Sequence, residues 1–366
     1  MGKYPKYKPT GIELIKEIPE YWEKTRLKYI GFLYGGLTGK SGEDFKREED
    51  PNNKPYINFT NICNNTYISK DNFGIVSILD GENQNIVKKG DLFFLMSSET
   101  QEDIGKTSVL KNDIGEVYLN SFCKGFRITK ENFDSCFINY LLNGKDYRRL
   151  MSVEGKGFTR INLRQDKVND FLFFYPTLSE QQQIVVFLDQ KTTIIDELIR
   201  KKQRKIELLK EQRTSIINQA VTKGLNPNAK MKDSEVEWIG EIPEHWEMKK
   251  VKYLFEIRKR ISGELGYDVL SVTQSGLKVK DIVSGEGQLS MDYTKYQLVF
   301  PEDFVMNHMD LLTGYVDISQ YMGVTSPDYR VFTLTDNNCD KKYYLYIFQF
   351  GYKTKFFMVL DKEVLC

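Results

Sequence analysis

A phrase of fourteen residues occurs twice in this chain. Residues 17–30 read E-I-P-E-Y-W-E-K-T-R-L-K-Y-I, and residues 241–254 read E-I-P-E-H-W-E-M-K-K-V-K-Y-L. Glu-Ile-Pro-Glu, the tryptophan, the following glutamate and Lys-Tyr keep one register, with apolar residues matched at Leu27/Val251 and Ile30/Leu254. Trp22 and Trp246 are two of only 3 tryptophans in 366 residues, so chance is a poor explanation. The copies begin 224 residues apart, at 17 and 241, far beyond the roughly 20–50 residues of a solenoid unit. A whole domain is therefore duplicated, in a chain long enough for two or three.

Downstream the copies agree in character more than in letters. D-L-F-F-L-M from Asp91 is answered by D-F-V-M from Asp303, each a polar turn, an apolar strand-like run and then a loop with Gly or Ser. Short β-type runs (56–59 and 75–79; 269–272 and 296–300) alternate with Gly, Asn and Asp turns. The 22 Tyr and 23 Phe suit pleated surfaces. The fold class expected is α+β, a mixture of helix and strand.

Between the copies lies a helical segment. T-L-S-E-Q-Q-Q at 177–183 places Ser179 as N-cap and Gln182 three residues on, a capping box, with Glu180 favourable near the helix start. Val185, Leu188, Thr192, Ile195, Ile199, Lys202, Ile206, Leu209, Arg213, Ile216 and Ala220 then follow in steps of four and three, the seam of a coiled coil with polar interruptions. Gly224 and Pro227 end it. From about Glu180 to Lys223 such a helix runs roughly 65 Å, and its apolar stripe requires a second helix. The polar segment 226–237 reads as a linker. The expected domains are 1–178, a spacer helix 179–224, a linker 225–240 and a second module 241–366.

Taken together, W-I-G-E-I-P-E-H-W-E-M-K-K-V-K-Y-L (238–254), its earlier echo, G-K-G-F-T-R-I-N-L (155–163) and P-T-L-S-E-Q-Q-Q-I-V-V-F-L-D-Q-K-T-T-I-I-D (176–196) resemble the DNA-specificity subunit of a type I restriction–modification system over nearly the whole length. The resemblance implies two target-recognition domains, each reading one half of a bipartite site in double-stranded DNA, and long helices that set their separation. It implies no catalysis in this chain. S-adenosylmethionine, ATP and Mg are expected only on the methylation and restriction subunits that are its partners. One departure stands out: a second copy as long as the first would begin its own helix near position 403, whereas the sequence stops at Cys366. The expectation is a truncated second module. The heptad stripe (Val185, Leu188, Ile195, Ile199, Ile206, Leu209, Ile216) would then meet a second copy of the chain or a methylation subunit.

Candidate DNA contacts fall in loops. G-G-L-T-G-K-S at 35–41 misses a phosphate-binding P-loop by one residue, since Tyr34 stands where glycine is needed. It reads better as a glycine turn, leaving Lys40 to touch a phosphate. In G-K-G-F-T-R at 155–160, the glycines permit close approach, and Lys156 and Arg160 suit phosphate or base contact; the plain alternative is a solvated turn. The loop 97–106 offers Ser97, Ser98, Thr100 and Lys106 to base edges, although Glu99, Glu102 and Asp103 oppose phosphate contact. Asn307, Thr313, Ser326 and Arg330 hold comparable places in the second copy. For each of these a structural turn is the alternative. The basic run at 200–205 is either a solvated helix face, a lining for DNA between half-sites or a contact for an acidic partner.

Several functions are disfavoured. With 52 basic and 51 acidic residues the net charge is +1, too little to coat nucleic acid by charge alone. No apolar run approaches a membrane span, and the N-terminus lacks an apolar signal core. Five scattered cysteines without a C-x-x-C pair and two histidines, His245 and His308, make a zinc site or disulfides improbable. These features suit a cytoplasmic protein. His245 replaces Tyr21 of the first copy, which suits a structural role; His308 sits in a loop. The alternative to DNA recognition is a coiled-coil assembly or scaffold protein that binds no DNA.

Overall fold

Strand Leu92–Leu95 organises the first half of the chain. All four side chains are buried, Leu92 and Phe94 in one apolar cluster and Phe93 and Leu95 in another. Side chains alternate across a strand, so an unbroken apolar run marks a strand covered on both faces. It is flanked by Cys123–Ile128 and Thr107–Val109, and Gly31–Gly35 completes a four-stranded antiparallel sheet in the order Gly31–Gly35, Cys123–Ile128, Leu92–Leu95, Thr107–Val109. These observations come from a computed structural model that describes residues 4–45, 50–236, 239–282, 290, 292–310 and 314–353.

The second half repeats this plan. Its sheet runs Phe255–Ile257, Arg330–Leu334, Phe304–Met306, Val316–Ile318, again antiparallel throughout and in the corresponding chain order. Phe304 and Val305 again point into separate cores. Asp91 and Asp303 head the two central strands, and each accepts a backbone N–H three residues back, from Lys88 at 2.7 Å and Phe300 at 2.9 Å. Each also holds an arginine, but from different places: Arg127 on the neighbouring strand reaches Asp91 at 2.7 Å, while Arg260, beyond Phe255–Ile257, reaches Asp303 at 2.7 Å. After the sheet, Asp134 caps helix Ser135–Asn143 by accepting from the Phe137 N–H, and Asp340 serves Lys341–Lys353 through Tyr343.

The repeat begins earlier than the shared letters suggest. Tyr7–Ile12 pairs with Ile15–Pro19, setting Lys8 opposite Ile18, and Met231–Asp233 pairs with Glu241–Pro243, setting Lys232 opposite Ile242. The Thr10 and Ser234 hydroxyls each accept the N–H two residues on, from Ile12 and Val236. Within the polar stretch read as a linker, Met231–Asp233 thus forms the first strand of the second module, stabilised by backbone pairing that needs no apolar run.

Helix Leu178–Lys223 is one uninterrupted element of 46 residues. Its cap lies earlier than Ser179: Gln181 N–H already donates to the Thr177 carbonyl, which puts Ser179 inside the first turn. Gly224 ends the helix at φ +74, a left-handed conformation that favours glycine. The chain divides into two compact units, residues 1–199 and 200–366. Helix residues serve the unit to which they belong: Val185 joins the first unit's core, and Val221 is buried in the second.

Candidate nucleic-acid interface

In the first unit a short strand pair assembles the loops singled out above. Ser97–Ser98 lies antiparallel to Ile161–Asn162, which sets residues 155–160 beside residues 99–106. The Lys156 and Asn162 backbones bond reciprocally, at 3.0 and 2.9 Å, and pinch the glycine loop at its base. Within it Gly157 adopts φ +152, and a Cβ there would lie 1.9 Å from the Arg160 carbonyl oxygen. Glycine is required for the turn. The loop presents exposed Lys156 and Arg160 and a wholly exposed Phe158.

Arg160 lies over the ring of Phe122, its guanidinium carbon 4.6 Å from the centroid. Together they border a pocket of about 460 Å³ whose other walls include Ser97, Lys124, Asn162 and Gln165. Two cations, amide side chains and an accessible aromatic edge can meet phosphate oxygens and base edges. Phe122 and Phe158 escaped the sequence reading, although an aromatic inside a Gly- and Lys-rich loop is a usable signal.

Other candidates have internal duties. The Lys40 side chain is 6% exposed and its ammonium lies 2.6 Å from Glu82, so its proposed phosphate contact is corrected to a structural ion pair. That glycine turn is fixed by backbone crowding, since a Cβ at Gly36 would fall 2.1 Å from the Asn120 carbonyl oxygen. Ser98 is also corrected: it is buried, and its hydroxyl accepts from the Thr100 N–H. Ser97 is buried too but borders the pocket. Thr100 donates to Asp103 at 2.8 Å, and Lys106 pairs with the same carboxylate at 2.7 Å. Asp103 is held below the usual carboxylate range, chiefly by the Lys106 hydrogen bond. It organises the loop.

In the second unit, the buried Gln297 amide donates to the carbonyls of Ser326, Pro327 and Tyr329 at 3.1, 3.2 and 3.0 Å. This clamp, missed in the sequence, shapes the loop that carries Ser326 and leads to exposed Arg330. The Ser326 hydroxyl accepts from the Asp328 N–H. The Asn307 side-chain oxygen is buried without a partner among the described residues, and its carbonyl accepts from the Tyr352 hydroxyl at 2.6 Å. Burial, with Arg330 nearby, lowers the pKa of neighbouring His308. Thr313 lies outside the described residues.

The helix stripe is divided. Val185 packs into the first unit's core and Leu188 is half-buried. Thr192, read as a seam position, donates to the Leu188 carbonyl at 2.8 Å and lies 3.4 Å from the Tyr140 hydroxyl. Val185 is therefore corrected from a partner-helix contact to an internal one. Ile195, Ile199, Ile206, Leu209 and Ile216 are all more than half exposed.

A model of the type I restriction modification DNA specificity domain matches residues 19–208. The chain belongs to that family. The match takes in the first unit's loops and most of the long helix. Among curated relatives, the type I restriction enzyme MjaVIII specificity subunit of Methanocaldococcus jannaschii is 25% identical over 306 residues, 82% of this chain and 63% of the relative. The putative type I restriction enzyme MjaX specificity subunit of the same organism is 26% identical over 240 residues, 64% of this chain and 52% of the relative. The chain thus spans between half and two thirds of these relatives' lengths. A crystal structure of the HsdS subunit from Thermoanaerobacter tengcongensis is similar in fold, with a TM-score of 0.50 at 12% identity, covering 92% of this chain and 81% of that one. A chain from a structural study of complex assembly and conformational transition of the type I R-M system has a TM-score of 0.53 at 11% identity, covering 90% and 80%. The specificity-domain fold, two similar modules and a long helix, accounts for the duplicated sheets.

Proposed function

We propose that this chain is the non-catalytic, sequence-reading component of a type I restriction–modification complex, that it binds double-stranded DNA, and that its two modules each inspect one half of a bipartite site. The observation that carries this reading is the repetition of one sheet topology with different loops on each copy. A shared scaffold with divergent loops suits two readers of different sequences. Exposed Lys156 and Arg160 in the first module and Arg330 in the second are the proposed duplex contacts.

Methylation and restriction subunits are the proposed partners, carrying S-adenosylmethionine, ATP and Mg, and the proposed compartment is the cytoplasm. The exposed residues Ile195, Ile199, Ile206, Leu209 and Ile216 supply an apolar stripe that a partner helix would cover. With a net charge of +1 the chain alone should bind DNA weakly and lose affinity steeply with salt.

The test is to map methylated adenines in the host genome with this reading frame intact and deleted. Loss of one bipartite motif is the expected result. An unchanged methylation pattern, together with no consensus selected from random duplexes in the presence of methylation subunits, would leave a scaffold role instead.

A further inference from the structure

Phe158 is the most exposed large apolar side chain among the described residues, at 103%. A loose tail could leave a phenylalanine in solvent, but this one stands in a closed loop. Lys156 and Asn162 shut its base through their reciprocal backbone bonds, and the Asn162 amide donates to the Arg160 carbonyl at 3.2 Å. Gly155 is buried, and a Cβ there would lie 2.8 Å from the Ile161 Cγ2 methyl. Gly157 then makes the positive-φ turn that leads directly into Phe158. The backbone itself carries the ring outward.

The charges around the ring differ from those nearby. Just past the loop, Arg164 pairs with Asp166 at 3.0 Å and Lys167 with Glu154 at 2.8 Å. Lys156 and Arg160, two residues before and two after Phe158, have no acidic partner among the described residues; Arg160 rests on the Phe122 ring instead. An apolar ring between two uncompensated cations matches an occupant with an apolar interior bordered by anions. Duplex DNA has that construction, its stacked bases lying between two phosphate backbones.

We propose that Phe158 is an aromatic wedge, entering the duplex between two adjacent base pairs of the half-site read by the first module, while Lys156 and Arg160 hold the phosphates beside that step. The proposal rests on the reading of the chain as a duplex-binding subunit, and it adds a way to discriminate sequence without a hydrogen bond to a base. Inserting a ring unstacks and kinks the step, at a cost that is lowest for flexible pyrimidine–purine steps. The first module should therefore select such a step at the wedge.

The test uses the full chain with methylation subunits and the consensus duplex that they select from random sequences. Two fluorescent analogues that brighten on unstacking, 2-aminopurine for adenine and pyrrolocytosine for cytosine, are placed in turn at every base pair. Brightening is expected at one pyrimidine–purine step away from the methylated adenine, and it should vanish in Phe158→Ala. Methyltransferases flip their target base, so the signal at the methylated adenine should persist in that variant. Phe158→Ala should also weaken binding about tenfold, the scale of one lost base–aromatic stack. The salt slope should stay as in wild type, because no cation is removed. Phe158→Leu keeps an apolar wedge and should recover part of both effects. The side chain is wholly exposed, so neither substitution should move the melting temperature. Selection of no consensus would remove this proposal together with the DNA reading beneath it. A consensus that brightens nowhere but at the methylated adenine, or brightening that survives Phe158→Ala, would overturn the wedge alone. So would loss of co-purification with methylation subunits in the variant, which would set the ring against a protein.

Discussion

Lys40 and Arg160 carry the same charge into opposite surroundings. Lys40 is enclosed with Glu82 as its counter-ion, so its replacement removes an internal ion pair rather than a phosphate contact. Arg160 is exposed, and among the described residues its guanidinium is supported on the face it lays against Phe122. A phosphate contact contributes one released counter-ion to the salt dependence of binding. Arg160→Ala should therefore weaken duplex binding and reduce the slope of log affinity against log salt by about 1, whereas Lys40→Met should lower the melting temperature and leave that slope alone. Titrations at four salt concentrations beside thermal melts check both; an Arg160→Ala slope equal to wild type would remove the residue from the interface. Gly157→Ala belongs to the same scale, because its Cβ would strike the Arg160 carbonyl oxygen and move the arginine without deleting it. It should reproduce both the affinity loss and the reduced salt slope of Arg160→Ala.

At the scale of the element, the long helix shows what a one-dimensional pattern conveys and what it omits. Its existence, its length and its glycine stop follow from periodicity and local chemistry. Which neighbour covers each stripe position depends on residues distant in sequence, such as Tyr67, Lys111 and Tyr140, which converge on Asp189. Burial would raise the Asp189 carboxyl, but the Lys111 ammonium and the two tyrosine hydroxyls outweigh it and leave the pKa below the ordinary carboxylate value. A depressed carboxylate stabilises the fold above its unfolded pKa, and that contribution fades as pH falls through the lower, folded value. The gap in urea midpoint between wild type and Asp189→Asn should thus be largest near neutrality and shrink as pH falls below the unfolded carboxylate pKa; a pH-independent gap would deny the ion pair its role. The exposed stripe behaves differently. Ile199→Glu/Ile206→Glu alters side chains that are more than half exposed and outside the apolar clusters, so stability should change by no more than about 0.5 kcal/mol per substitution, while co-purification with methylation subunits is lost. A large loss of stability instead would mean that the chain already covers these side chains in solution.

For the whole molecule, duplication was legible because it is anchored by residues with demanding surroundings: a tryptophan docked on a helix start in the first unit, a proline closing a hairpin strand, and an aspartate heading a buried strand. The rest of each module drifted in letters because many apolar combinations fill a sheet equally well once volume and alternation are kept. Arg127 and Arg260 illustrate the drift, reaching corresponding aspartates from different places in the chain, one within a strand and the other beyond one. The loops were the least legible, since their form depends on distant clamps such as Gln297. Each unit nevertheless has its own pair of apolar clusters around its central strand, which predicts two separable unfolding events. Phe94 and Phe304 have no exposed surface in their respective cores, and truncation of a buried phenylalanine to alanine costs about 3–5 kcal/mol. Differential scanning calorimetry should resolve two transitions, with Phe94→Ala lowering only one and Phe304→Ala only the other. If either substitution lowered both together, the continuous helix would be transmitting cooperativity between the units, and the stability of one reading module could no longer be treated apart from the other.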